Sequence, residues 1–205
     1  MNSRVLVLVV MVCAAGIAAC ATTEVNAVWK DEAYQAQPKR VLVIAMFKDI
    51  SVRRQVESEF KEHLKYRGGD AATGYEVFPG NELPTKDAVV QQVKAGGYDA
   101  LLLTRLIDTH TERRTVPGSA TYGSASHYGV PMGGYYGAGY TQAYTPSYQV
   151  DDRYATVESN LYDAATEKLV WTASSDTWLS GSNKGLIKTF VSIMVDSLRR
   201  NKIVP

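Results

Sequence analysis

Side chains able to do chemistry are sparse in this chain of 205 residues, and those present do not converge. The three histidines, His63, His110 and His127, lie far apart, and none has the spacing of a His-Glu-x-x-His metal site. His63 sits beside the apolar stripe of a predicted surface helix and reads as solvated. His110 follows Asp108 in a polar stretch, but a Ser-His-Asp arrangement needs a nucleophile on a strained turn, and no Gly-x-Ser-x-Gly occurs. The run Gly133-Gly134-Tyr135-Tyr136-Gly137-Ala138-Gly139 has the glycines of a phosphate loop without a Walker lysine, a strand before it or a helix after it. Asp151 and Asp152 alternate across a predicted strand, so they cannot act together on one glycoside. The expectation is a protein that is no enzyme and carries no cofactor and no metal.

What stands out instead is a segment suited to recognition. Residues 117 to 149 contain no Asp, Glu, Lys or Arg and hold 7 of the chain's 13 tyrosines: Tyr122, Tyr128, Tyr135, Tyr136, Tyr140, Tyr144 and Tyr148. A tyrosine ring offers amphipathic contact area at low entropic cost, and a glycine-serine background lets the backbone conform to a surface. Insertions longer than about 12 to 15 residues in a compact domain are usually functional or disordered. The partners this chemistry fits are protein surfaces, glycan faces or a second copy of the chain. Transmembrane strands need alternating segments of about 9 to 11 residues, a pattern that the seven glycines here interrupt.

Location follows from the amino terminus. Arg4 gives a positive start, Val5 to Val12 is an apolar run far short of the ~20 residues that span a bilayer, and small residues lead to Cys20. Ile17-Ala18-Ala19-Cys20 resembles the lipobox of bacterial lipoproteins. The resemblance implies cleavage of residues 1–19 and acylation of Cys20 on both thiol and amine, palmitate being a typical chain. Several acyl chains at about 0.8 kcal/mol per buried methylene hold a protein on a membrane durably. Ala21, where an enteric inner-membrane retention signal has Asp, implies the periplasmic face of the outer membrane.

Composition limits what the anchored part can be. The mature chain, about 185 residues, suits one domain. The net charge is +1 and the leader's single charged side chain is Arg4, so the mature part is formally neutral, with no electrostatic case for nucleic acid. Cys13 leaves with the leader and Cys20 is acylated, so no disulfide staples the domain and burial must hold it together.

The elements that must position these features follow from periodicity. Residues 20–38 read as lipidated cysteine and tether, with Trp29 expected to dock on the domain. Lys39 to Phe47 contains the continuous apolar run Val41–Met46, which suits a strand covered on both faces. Ser51 to Arg67 is a helix with Val52, Val56, Phe60 and Leu64 inward and Arg53, Glu57 and Lys61 as exposed pairs, ended by Gly68-Gly69. Tyr75 to Pro79 reads as a second strand, Pro84-Thr85 starts a helix that Gly96-Gly97 stops, and Tyr98 to Ile107 is a third strand that turns polar through Val116. Val150 to Tyr162 and Leu169 to Trp178 read as antiparallel strands around an Asp163–Glu167 turn. Asn183 caps a last helix, Lys184 to Asn201.

The fold class is α/β, a two- or three-layer domain over residues 39–201 in the order β-α-β-α-β-β-β-α, with a mixed five-stranded sheet whose parallel part has order 2-1-3. That order, with a turn of pattern Asp-x-x-Thr-x-x-x-x-Trp from Asp163 to Trp171, resembles the amino-terminal domain of TolB, the LpoB-type lipoprotein activators of penicillin-binding proteins and the periplasmic part of the curli-export lipoprotein CsgG. Small bacterial lipoproteins of this kind imply a non-enzymatic envelope protein docking another envelope protein. The alternatives are a glycan- or peptidoglycan-binding module and a self-assembling secretion or surface component.

Overall fold

The computed structural model describes residues 22–78, 80–118 and 146–205. Cys20, His127, the run Gly133–Gly139 and Tyr122, Tyr128, Tyr135, Tyr136, Tyr140 and Tyr144 lie outside them. The elements are β1 (Thr23–Lys30), β2 (Arg40–Met46), α1 (Ile50–Tyr66), β3 (Asp70–Thr73), the single turn α2 (Gly74–Val77), α3 (Lys86–Ala95), β4 (Ala100–Val116), β5 (Tyr148–Asp163), β6 (Leu169–Trp178) and α4 (Asn183–Arg200). They form one mixed sheet of six strands in the order β1-β6-β5-β4-β2-β3. Strands β3, β2 and β4 are parallel, which is the expected 2-1-3 arrangement, and β4, β5, β6 and β1 are antiparallel.

The expected sheet of five strands is corrected to six, because part of the segment read as tether is strand β1. It pairs with β6 from Thr23↔Thr177 to Lys30↔Trp171, and the Thr23 and Thr177 hydroxyls are 3.0 Å apart. Trp29 joins the sheet through its backbone, while its side chain remains half exposed.

A second correction moves the second strand five residues upstream. Asp70–Thr73 pairs in parallel with Arg40–Val43, and Tyr75, Glu76 and Val77 form a helical turn. Their β-favouring side chains are overruled by two carboxylates: Glu76 accepts from the Thr73 N–H at 3.2 Å and Glu57 from the Tyr75 N–H at 3.0 Å.

Helix α1 begins where Asp49 accepts from the N–H groups of Ser51 and Val52, and it ends at Gly68, whose φ of +84° an L side chain rarely adopts. Its Val56, Phe60 and Leu64 are buried as expected, with Phe60 edge-on to Phe190 of α4 at 5.9 Å. Arg53 and Glu57, expected on the exposed side, are buried too. Glu57 accepts from the Ala45 N–H at 2.9 Å and from Tyr75, while Arg53 donates to the Asn81 carbonyl. Burial pushes the Glu57 carboxyl above its ordinary value, partly offset by those N–H donors and the Arg53 charge.

Helix α4 is capped by Ser182, one residue ahead of the expected Asn183, and buries Ile187, Phe190, Met194 and Leu198. Helices α1 and α4 thus cover one face of the sheet, over Val41, Val43, Leu102, Leu161 and Trp171. On the opposite face α3 lies over Leu42, Ile44, Leu101 and Leu103, giving three layers on the parallel side of the sheet.

Candidate functional site

Two features of this architecture could meet a partner or ligand: an arm formed by the outer parts of β4 and β5, and a groove beneath α3. The arm arises because β4 and β5, at 17 and 16 residues, outrun their neighbours. Strand β2 stops opposite Arg105, and β6 stops opposite Tyr154. At the point of departure β4 carries a bulge: Leu106 pairs with Val157 and Asp108 with Thr156, leaving Ile107 as the extra residue. A bulge sharpens twist and re-aims a strand, and it separates the covered part of β4 from the rest. Leu106 and Ile107 are both exposed at this root.

Beyond the bulge the two strands stay paired from Asp108↔Thr156 to Val116↔Tyr148. Nine residues at about 3.4 Å each make the ribbon on the order of 30 Å long. Its two faces differ. One carries Asp108, His110, Glu112 and Arg114 opposite Thr156, Tyr154, Asp152 and Val150; the other carries Thr109, Thr111, Arg113 and Thr115 opposite Ala155, Arg153, Asp151 and Gln149. His110 stacks on Tyr154 with ring centroids 5.5 Å apart and lies 4.0 Å from Asp108 and 3.7 Å from Glu112. Arg113 bonds Asp151 and Arg114 bonds Asp152, each at 3.0 Å. Asp151 and Asp152 therefore serve opposite faces, as their alternation in sequence requires.

Among the described residues the arm's β4 edge is unpaired by other strands beyond Arg105 and its β5 edge from Asp152 out to Tyr148, and charges line both, which discourages indiscriminate strand addition. The arm leads directly into the tyrosine-rich segment. Tyr148, at the outer end of β5, is the tyrosine of that set within the described residues and is exposed. His63, expected in solvent, is partly covered and faces Glu59 at 4.0 Å. Among the described residues no three His, Cys, Asp or Glu side chains cluster as metal ligands, and no helix is long and apolar enough to cross a membrane.

The groove is the feature that sequence reading missed. Helix α3 offers Val89, Val90 and Val93 to the sheet, yet only Val93 is buried. Between the helix and the sheet lies a cavity of about 410 Å³. Ile44, Leu101 and Leu103 make its floor, Val89, Val90 and Val93 one wall, and Tyr162 to Ala164 the other. Met46 and Leu83, both exposed, stand at its mouth. Lys94 of α3 reaches Glu167 of the β5–β6 turn at 2.7 Å, a bridge from one wall to the other. That hydrogen bond holds the Glu167 carboxyl below its ordinary value, and the Lys86 charge acts in the same direction.

A neighbouring cavity of about 620 Å³ shares Val93, Lys94, Asp163 and Ala164 with the first. Its carboxylates already fix backbone. Asp99 accepts from the N–H groups of Lys39 and Arg40, and Asp163 from the N–H and hydroxyl of Thr166.

No protein-family model matches the chain, and no curated protein matches it. Among solved structures, the PelC dodecamer from Paraburkholderia phytofirmans is similar at 12% identity and a TM-score of 0.48, covering 86% of this chain and 96% of that one. Lipoprotein GNA1162 from Neisseria meningitidis is similar at 16% identity and a TM-score of 0.44, covering 80% and 99%.

Proposed function

We propose that the chain is a non-enzymatic lipoprotein, anchored through Cys20 at the periplasmic face of the outer membrane, that docks a protein of the cell envelope through the β4–β5 arm. The observation that carries this reading is the arm itself. Its β4 edge is free beyond Arg105 and its β5 edge from Asp152 outward, and its outer end leads into a tyrosine-rich, charge-free segment. An extended ribbon with exposed main-chain groups suits recognition by strand addition, and tyrosine side chains suit adaptable contact. Durable acylation would fix the distance from the membrane at which the arm works.

Photo-crosslinking amino acids placed at Thr111 and at Gln149, compared with a control at Lys188 on α4, test the reading in intact cells. One envelope protein should be captured from both arm positions and not from the control, and capture should be lost when residues 118–148 are deleted from a chain that still folds. Capture from Lys188 alone would move the interface to the helical face. Co-sedimentation with purified sacculi would favour the glycan reading, and adducts consisting of two copies of the chain would favour self-assembly. Mass analysis of the mature amino terminus tests the anchor, and Cys20→Ala should release a folded protein into the soluble periplasm.

A further inference from the structure

We infer that the groove beneath α3 is a binding site for a long-chain carboxylate, a ligand independent of whatever the arm docks. The lining calls for an apolar body. Floor and helix wall are aliphatic, and the volume of about 410 Å³ falls in the range of sites that enclose small ligands, about 300 to 1,000 Å³. Left to water, that space holds roughly 14 molecules at ~30 Å³ each, against walls that give them few hydrogen bonds. A helix of partner protein, about 10 Å across, is too thick to be enclosed there, whereas a single alkyl chain is not.

The rim selects the head group. Of its four charged side chains, Lys94 and Glu167 hold each other, and Asp163 is engaged by Thr166. Lys86, in the first turn of α3, lines the same cavity, acts on Glu167 through its charge alone, and makes no contact ion pair among the described residues. One ammonium group matches one negative charge. A phosphate, with up to two charges and three strong acceptor oxygens, calls for more donors than this rim offers. A monoanionic carboxylate beside Lys86, with its chain laid between Val89 and Leu103, satisfies both parts of the site.

The test uses the full chain carrying Cys20→Ala, so that no acyl group of its own is attached, titrated with sodium myristate below its micelle concentration in detergent-free buffer. Saturable binding of one equivalent is expected. Lys86→Ala should weaken myristate about tenfold and leave myristyl alcohol unchanged, since the charge-assisted contact is lost and the apolar one is not. Equal weakening of acid and alcohol would overturn the assignment of Lys86, and absence of saturable binding would overturn the site. A diazirine-bearing fatty acid keeps the test independent of any variant's folding. Adducts should map to peptides spanning 83–94 and 101–103, and adducts confined to the arm or to α4 would refute the groove. Because this readout does not involve the arm, its failure leaves the docking reading standing, and the reverse holds too.

Discussion

From Ala100 to Thr104, β4 lies between helices, with Ala100, Leu102 and Thr104 fully buried on one face and Leu101 and Leu103 half-buried on the other. From Asp108 to Thr115 the same strand keeps its partner and its ladder, yet nearly every side chain is in solvent. The backbone bonding is alike on the two sides of the bulge, so backbone pairing alone does not set stability. Burial at about 25 cal/mol per Å² stabilises the inner half, while surface ion pairs of about 0 to 1 kcal/mol are what the outer half has. The inner half holds the domain together, and the outer half is free to be read by something else.

The sharpest test removes the body's packing and asks whether the arm notices. Phe60 is fully buried and stands edge-on to Phe190, so Phe60→Ala should cost about 3 to 5 kcal/mol in denaturant unfolding. The arm must then disappear in the same transition, because a lone two-stranded ribbon is marginal in water. An arm that kept its ladder through that transition would break the comparison.

Glu57 tests the body by charge instead of volume. Glu57→Ala strands the N–H groups of Ala45 and Tyr75 and should cost on the order of 2 to 4 kcal/mol. Its pH dependence has a definite sign. The folded carboxyl titrates above its ordinary value of 4.5, so the native state holds that proton more tightly than the unfolded chain does. The stability due to this group is greatest below pH 4.5 and falls as pH rises through the folded value. Unfolding of the wild type and of Glu57→Gln across that window should show the wild type losing ground to the variant as pH rises; a difference flat with pH would refute the sign.

Glu57 also marks where sequence reading reached its limit. The apolar run Val41–Met46, the stripe Val56-Phe60-Leu64, the glycine stops and the alternation of β5 were all legible, because each is a local consequence of burial period. The burial of Arg53 and Glu57 was not, since a charge goes inside when distant backbone groups await it: the N–H donors of Ala45 and Tyr75 for Glu57, and the accepting carbonyl of Asn81 for Arg53. Strand β1 escaped for a different reason: its register shifts between Val25 and Ala27, so the alternation that would betray it is interrupted in the middle. The polar run of β4 was readable as a strand outgrowing its cover. The groove was not, because Ala88, Val89 and Val93 look like any core stripe until the helix is seen to stand off from the sheet.

A subtler comparison lies within the arm. Amides of Ala100 to Thr104 should exchange only by global unfolding, and those of Thr109 to Thr115 by local opening at much lower free energy. Uniform protection along β4 would mean that the arm is covered by something in solution.

The smallest effects separate two adjacent arginines. Arg113 and Asp151 are both more than half exposed, so Arg113→Ala should change stability by less than about 1 kcal/mol. Arg114 is equally exposed, but its partner Asp152 retains only 8% of its side-chain surface. Removing Arg114 leaves a shielded carboxylate without its cation, so Arg114→Ala should cost about 1 to 3 kcal/mol, read as faster exchange of the outer β4 and β5 amides. The double variant Arg114→Ala with Asp152→Ala should recover part of that loss, because the stranded charge goes with its partner. Equal effects of the two single substitutions would show that both faces of the ribbon are open to water alike, and that sidedness plays no part in what the arm recognises.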